Sequence, residues 1–134
     1  MPVNIAAQNG RKLLRFLDKK RLVISPLLIV MHDYPDPDAI ATAYALQYIA
    51  EEKFGIRSRI VYKGVIGRVE NREMVAQLRV PINKIRPSDI RNYDHAALID
   101  TQPSFENNPY PPNRKVTMVI DQHPYIKKPF ADFS

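Results

Sequence analysis

The chain has 134 residues, of which 45% are hydrophobic and 25% are charged, and its formal net charge is +6. This composition is typical of one globular domain; it excludes a collagen-like or wholly disordered chain, and the positive charge favours anionic partners such as nucleotides. Because there is no cysteine, disulfide bonds and thiolate metal sites are excluded, which is compatible with a cytoplasmic protein.

The first predicted element is a basic helix. Arginines and lysines dominate Arg11–Arg21 and surround leucines at helical spacing, with Leu17 among the leucines expected to face inward. An amphipathic targeting segment is the alternative interpretation, but no cleavage-site pattern follows it. We therefore expect residues 1–25 to form a basic N-terminal helix and residues 26–134 to form the main domain.

Four short apolar runs predict buried parallel strands, and they are Leu27–Met31, Arg59–Tyr62, Ala96–Ile99 and Val116–Ile120. Helices are predicted over Asp38–Phe54, ended by Gly55, and over Glu70–Leu78, before Pro81. No apolar run approaches the roughly 18 residues of a membrane helix, so no membrane association is expected. The alternation predicts an α/β fold with an open, mostly parallel sheet flanked by helices, as in Rossmann-like domains.

Potential metal ligands follow three of these strands directly. His32 follows the first strand and Asp100 follows the third, whereas Asp121 and His123 follow the fourth. Because ligands of such sheets gather beyond the carboxyl ends of the strands, we expect these residues at one edge. Carboxylates with a few imidazoles suit Mn²⁺ or Mg²⁺ better than a closed zinc site. Two such ions about 3.5 to 4 Å apart activate water and neutralise phosphate oxygens.

The residues after His32 also have a simpler interpretation. Asp36 is expected at the N-cap of the first long helix, with Pro37 and Asp38 at its first two positions. Helix capping and compensation of the helix dipole account for both carboxylates, and turn formation accounts for Asp100. Metal ligation accounts in addition for the histidine four residues before the cap and for the recurrence of ligand types at one edge.

Three motifs in this order resemble those of the DHH phosphoesterases. They are His32-Asp33-Tyr34-Pro35-Asp36-Pro37-Asp38-Ala39-Ile40, Asp100-Thr101 and Ile120-Asp121-Gln122-His123-Pro124. The stretch from Tyr62 to Arg72 is similar to the Gly-x-Ile…Glu-Asn-Arg stretch of the oligoribonuclease and phosphoadenosine phosphatase-like branch. The resemblance runs from about Leu27 to the end of the chain. It implies that residues 26–134 form a DHH domain that is incomplete at its C-terminus.

The resemblance implies a hydrolase that acts on nucleotides, cyclic dinucleotides or short single-stranded oligonucleotides, using a hydroxide activated by two Mn²⁺ or Mg²⁺ ions. The implied ligands of one ion are His32, Asp36 and Asp100. Asp38 would bind the second ion, with Asp100 bridging the two. Asp121 would orient neighbouring groups, and His123 would face the phosphate.

Two departures from the family pattern bear on activity. Gln122 replaces a histidine expected on the second ion, and a glutamine carbonyl is a weaker ligand, so that site is expected to be impaired. Family members also continue to a further aspartate and a smaller C-terminal substrate domain. Because no following element covers Phe130 and Phe133, the sequence predicts a fragment of a longer protein. A homodimer is one expected assembly.

The resemblance leaves two alternatives to a phosphodiesterase or phosphomonoesterase. Loss of the second ion at Gln122 would leave a non-catalytic nucleotide-binding or regulatory domain. A manganese pyrophosphatase-like enzyme would use the same ligands, although the segment Glu70-Asn71-Arg72 favours the oligoribonuclease branch.

Overall fold

The computed structural model describes residues 3–66, 69–101, 107–121 and 131–133. Helices and strands alternate along most of this part of the chain. In chain order the elements are α1 (Val3–Ile24), β1 (Leu27–Met31), α2 (Pro37–Phe54), β2 (Ser58–Tyr62), α3 (Val69–Leu78), β3 (Ile82–Lys84), α4 (Pro87–Asn92), β4 (His95–Ile99), β5 (Val116–Ile120) and β6 (Ala131–Phe133).

The strands form one six-stranded sheet in the order β3-β2-β1-β4-β5-β6, and every neighbouring pair is parallel. This is the strand order of doubly wound Rossmann folds, so the predicted α/β class is confirmed. The chain builds outward from β1 in one direction and then, starting with β4, in the other. The reversal lies between β1 and β4, where Met31 is in register with Ile99. Ligand sites of open parallel sheets are found beyond this switch point.

The four predicted strands and both predicted interior helices are present at the expected places, within one or two residues. Each residue of β1 is buried, as a continuous apolar run in a central parallel strand requires. Helix α2 ends at Gly55, whose φ of 66° is left-handed and whose N–H is directed at the carbonyls of Ala50 and Glu51. Glycine adopts this conformation without steric cost, so it ends the helix as predicted.

Alternate residues of each central strand face opposite sides of the sheet, and each side has its own core. Ile29 belongs to a cluster with α1 and α2, to which α1 contributes the fully buried Leu17. Leu28 and Leu98 belong to a second cluster on the other side. No helix in the described part of the chain is long and apolar enough to cross a membrane.

Strands β3 and β6 and helix α4 were not predicted from the sequence. Phe133 is covered from an element that precedes it in the chain, because its ring packs against Phe16 of α1, with centroids 5.3 Å apart. This contact joins residues that lie more than a hundred positions apart, so no local pattern indicates it. Phe130 lies outside the described residues.

Candidate metal centre

Three predicted ligands converge at the carboxyl edge of the sheet, at its switch point. His32 follows β1, Asp36 is the N-cap of α2, and Asp100 follows β4. One ligand atom from each residue lies within 4.8 Å of the other two. The His32 and Asp100 side chains are largely covered, with 15% and 19% of their surfaces exposed, whereas Asp36 is 53% exposed. The cluster is therefore a partly covered site with one open side.

The orientation of the His32 ring is set by its own loop. Its Nδ1 lies 2.7 Å from the backbone carbonyl oxygen of Asp33. Because a carbonyl oxygen can only accept, Nδ1 is the donor, and Nε2 faces the carboxylates. Nε2 lies 3.6 Å from Oδ2 of Asp100 and 3.8 Å from Oδ2 of Asp36. A histidine whose other nitrogen donates to a backbone carbonyl is the usual arrangement of a metal-binding imidazole.

These separations are too long for direct hydrogen bonds. They match the spacing of atoms that share one ion, because ligands held about 2.1 Å from a metal lie roughly 3 to 4 Å from each other. The donor set of one nitrogen and two carboxylates thus fits a divalent cation.

Asp36 divides its two oxygens between two roles. Oδ1 accepts a hydrogen bond of 2.9 Å from the backbone N–H of Ala39, which is the contact of a helix N-cap. Oδ2 is the oxygen that faces His32. Capping and metal ligation are therefore compatible, and the cap fixes the carboxylate in the orientation that ligation needs.

Asp100 adopts a left-handed backbone conformation with φ of 57°. Its N–H donates a 2.8 Å hydrogen bond to the carbonyl of Ile120 on the neighbouring strand. Aspartate tolerates this region better than most residues, but the conformation still costs free energy. Strained residues of this kind cluster at ligand sites, where the surrounding structure holds them in place.

Residues of the loop after β4 form hydrogen bonds with Asp33, next to His32, and with one another. The sequence did not predict these residues as part of the site. The carbonyl of Asn107 accepts a 2.5 Å hydrogen bond from the N–H of Asp33. The fully buried hydroxyl of Thr101 donates to Oδ1 of Asn107 at 2.6 Å and accepts from Nδ2 of Asn108 at 3.1 Å. An asparagine-rich loop after a strand-terminal Asp-Thr was the available signal, but it did not specify these contacts.

Tyr110 anchors the same loop in the core. It is 5% exposed, and its N–H donates to Oδ1 of Asn108 at 3.1 Å. Burial raises the pKa of the Tyr110 hydroxyl, and the nearby Arg114 guanidinium offsets part of that rise. The hydroxyl therefore stays protonated at neutral pH, as a buried anchor should.

Asp33 has one buried carboxylate oxygen, Oδ1, without a hydrogen-bond partner among the described residues. No role for Asp33 is predicted from the sequence.

The remaining predicted residues differ in their placement. Asp38 is exposed in the first turn of α2 and is not one of the three clustered ligands. Asp121 directly follows β5, is half-buried and lies one strand away from Asp100. Gln122 and His123 lie outside the described residues. Among the residues that the structure describes, no second group of three such ligands lies equally close together.

Comparison with known proteins identifies a similar protein, but that protein is itself uncharacterized. No family model matches the chain. The chain is 41% identical over 99 residues to an uncharacterized protein of Methanocaldococcus jannaschii, with 74% of this chain and 20% of that protein covered. The chain thus spans about a fifth of the length of the curated relative it matches.

Proposed function

We propose that this chain carries a DHH-type site for a divalent cation, and that the protein hydrolyses phosphoester bonds of nucleotides or short oligonucleotides. The observation that supports the proposal most strongly is the convergence of His32, Asp36 and Asp100 at the switch point of the sheet. Capping and turn formation explain each carboxylate alone. They do not explain why both face the same imidazole nitrogen.

The chemistry of the three side chains supports Mn²⁺ or Mg²⁺ as the ion, since two carboxylates and one imidazole are the donors that these ions accept. A bound ion of this kind would neutralise phosphate oxygens and lower the pKa of a bound water. His32 would present Nε2 in a fixed orientation through its bond to Asp33. Asp36 and Asp100 would supply the negative charge that selects a cation, and Asp121 would act from the neighbouring strand. We also propose that Asp38 and Gln122 bind a second ion. His123 would then contact the phosphate.

The substrate class is proposed from charge and from the family resemblance. The net charge of +6 favours a polyanion, and the exposed Lys63 directly follows β2 at the same edge of the sheet. A nucleotide, a cyclic dinucleotide or a short single-stranded oligonucleotide fits this setting. The absence of cysteine is compatible with the cytoplasm, where we propose that the protein acts.

Hydrolysis of a phosphorylated dinucleotide in the presence of Mn²⁺ tests the proposal. Because Gln122 is expected to impair the second ion site, we expect slow mononucleotide release by the wild type. Asp100→Asn should be slower by at least about a hundredfold, because a site ligand loses its charge. Asparagine tolerates the left-handed conformation, so this variant keeps the backbone. Asp94→Asn is the matched control, since Asp94 is exposed and outside the cluster. Equal rates of dinucleotide hydrolysis by the wild type and Asp100→Asn would contradict the assignment of Asp100 as a ligand.

A comparison of substrates distinguishes the pyrophosphatase alternative. Faster cleavage of pyrophosphate than of the dinucleotide by the wild type would favour a pyrophosphatase.

Gln122 favours a second candidate, a nucleotide-binding or regulatory domain that has lost catalysis. This candidate predicts nucleotide binding without turnover. Gln122→His distinguishes the two, because restoring an imidazole should raise hydrolysis if only the second ion is missing. A variant that binds two Mn²⁺ ions and still releases no product would support the regulatory domain.

A further inference from the structure

Tyr34 is an exposed aromatic residue in the middle of the candidate metal loop. It lies two positions from His32 and two from Asp36, and 67% of its surface is exposed. Its φ of 55° places it in the left-handed region. That conformation is rare for a bulky residue and costs free energy, so an exposed tyrosine held in it calls for a reason beyond packing.

The neighbouring loop after β2 holds Tyr34 in place. The Tyr34 N–H donates a 3.0 Å hydrogen bond to the carbonyl of Lys63. The ring lies directly over Gly64, where a Cβ atom would be 2.7 Å from both Cδ1 and Cε1 of the tyrosine. Only glycine allows this approach, and Gly64 itself has φ of 87°. One part of the ring is thereby fixed against the backbone, while the rest faces solvent.

The surroundings of the exposed ring suit a flat, partly anionic ligand. Lys63 is exposed beside it, and Val65 is 58% exposed on the same loop. A ring fixed in advance loses little conformational freedom when a base stacks on it. Two residues of chain span at most about 7 Å. The backbone of Tyr34 therefore lies within the length of one nucleotide from the backbones of His32 and Asp36.

We propose that Tyr34 is an aromatic platform on which a base of the substrate stacks while the phosphate lies at the His32–Asp36–Asp100 cluster. This proposal rests on the proposed function for the position of the phosphate. It adds a specificity determinant: the platform distinguishes substrates that carry a nucleobase from those that carry only phosphate.

Calorimetric titration of the whole chain with AMP and with ribose 5-phosphate, in Mn²⁺, isolates the base. Both ligands carry the same phosphate and sugar. We expect the wild type to bind AMP roughly tenfold more tightly, the magnitude typical of base stacking on an aromatic side chain. Tyr34→Phe should keep this preference. Tyr34→Asn, which suits a left-handed backbone, should reduce it to near unity and leave the affinity for ribose 5-phosphate unchanged.

Equal affinities of the wild type for the two ligands, or a full AMP preference in Tyr34→Asn, would overturn the platform. So would the absence of binding of either ligand. Thermal melts of each variant exclude unfolding as the cause of a lost preference. The platform and the proposed hydrolysis fail separately: a wild type that prefers AMP through Tyr34 but releases no product keeps the platform and overturns the hydrolase.

Discussion

Carboxylates in this fold have two distinct environments. The Asp89 side chain is 3% exposed and accepts a 3.0 Å hydrogen bond from Nε of Arg59 and a 2.8 Å bond from the N–H of Arg86. Each of its oxygens has a strong donor, as a buried structural charge requires. Asp36 and Asp100 are more exposed than Asp89, and each has an oxygen near Nε2 of His32, at 3.8 and 3.6 Å, which leaves room for an ion. Burial beside Arg59 indicates a structural role for Asp89, whereas a shared approach to one imidazole nitrogen makes Asp36 and Asp100 candidate ligands.

Asp89→Asn is expected to destabilise the fold by about 3 kcal/mol, because it leaves the half-buried Arg59 guanidinium without its counter-charge. Urea unfolding measures this change. Asp94→Asn, at an exposed position five residues away, is expected to change stability by less than about 0.5 kcal/mol. The Asp89 pair lies near the amino end of β2, away from the cluster, so Mn²⁺ binding by folded Asp89→Asn should match the wild type. Equal stability of the two variants would contradict the structural role.

Helix α2 connects the stability of the fold to the site, because its N-cap Asp36 is also a proposed ligand. Asparagine caps a helix about as well as aspartate, whereas alanine does not. Asp36→Asn should therefore keep the stability of the metal-free protein, and Asp36→Ala should lose about 1 kcal/mol. Both variants should bind Mn²⁺ much more weakly than the wild type. Thermal unfolding and calorimetric titration measure the two effects. Unchanged Mn²⁺ affinity in Asp36→Asn would leave Asp36 with a capping role alone.

The helices and strands that were predicted are specified by their own local sequence. Those that were missed depend on contacts with distant parts of the chain. Strand β1 is a continuous apolar run, and α2 has clear capping residues at both ends. Strand β3 has only three residues, none of them fully buried. Strand β6 is equally short and exists through pairing with β5 and through the contact of Phe133 with Phe16. Such partners are supplied by the folded chain and not by local sequence.

The parallel sheet explains how much of the site could be predicted from the sequence. Once the strands are parallel, the residue after each strand must lie at one edge, which places His32 and Asp100 together. Three features of the site could not be predicted from the sequence. They are the left-handed conformation of Asp100, the packing of the Tyr34 ring against Gly64, and the hydrogen bond from Asp33 to Asn107. They depend on how loops from different strands meet, for which the sequence has no periodic signal.

We propose that His32, Asp36 and Asp100 together hold a divalent cation. Calorimetric titration of Mn²⁺ into wild type, Asp100→Asn and Asp94→Asn tests it most directly, because it requires neither a substrate nor turnover. We expect Asp94→Asn to bind like the wild type and Asp100→Asn to bind at least about a hundredfold more weakly, since a charged ligand is lost while the backbone is kept. Identical Mn²⁺ binding by the wild type and Asp100→Asn would contradict the claim.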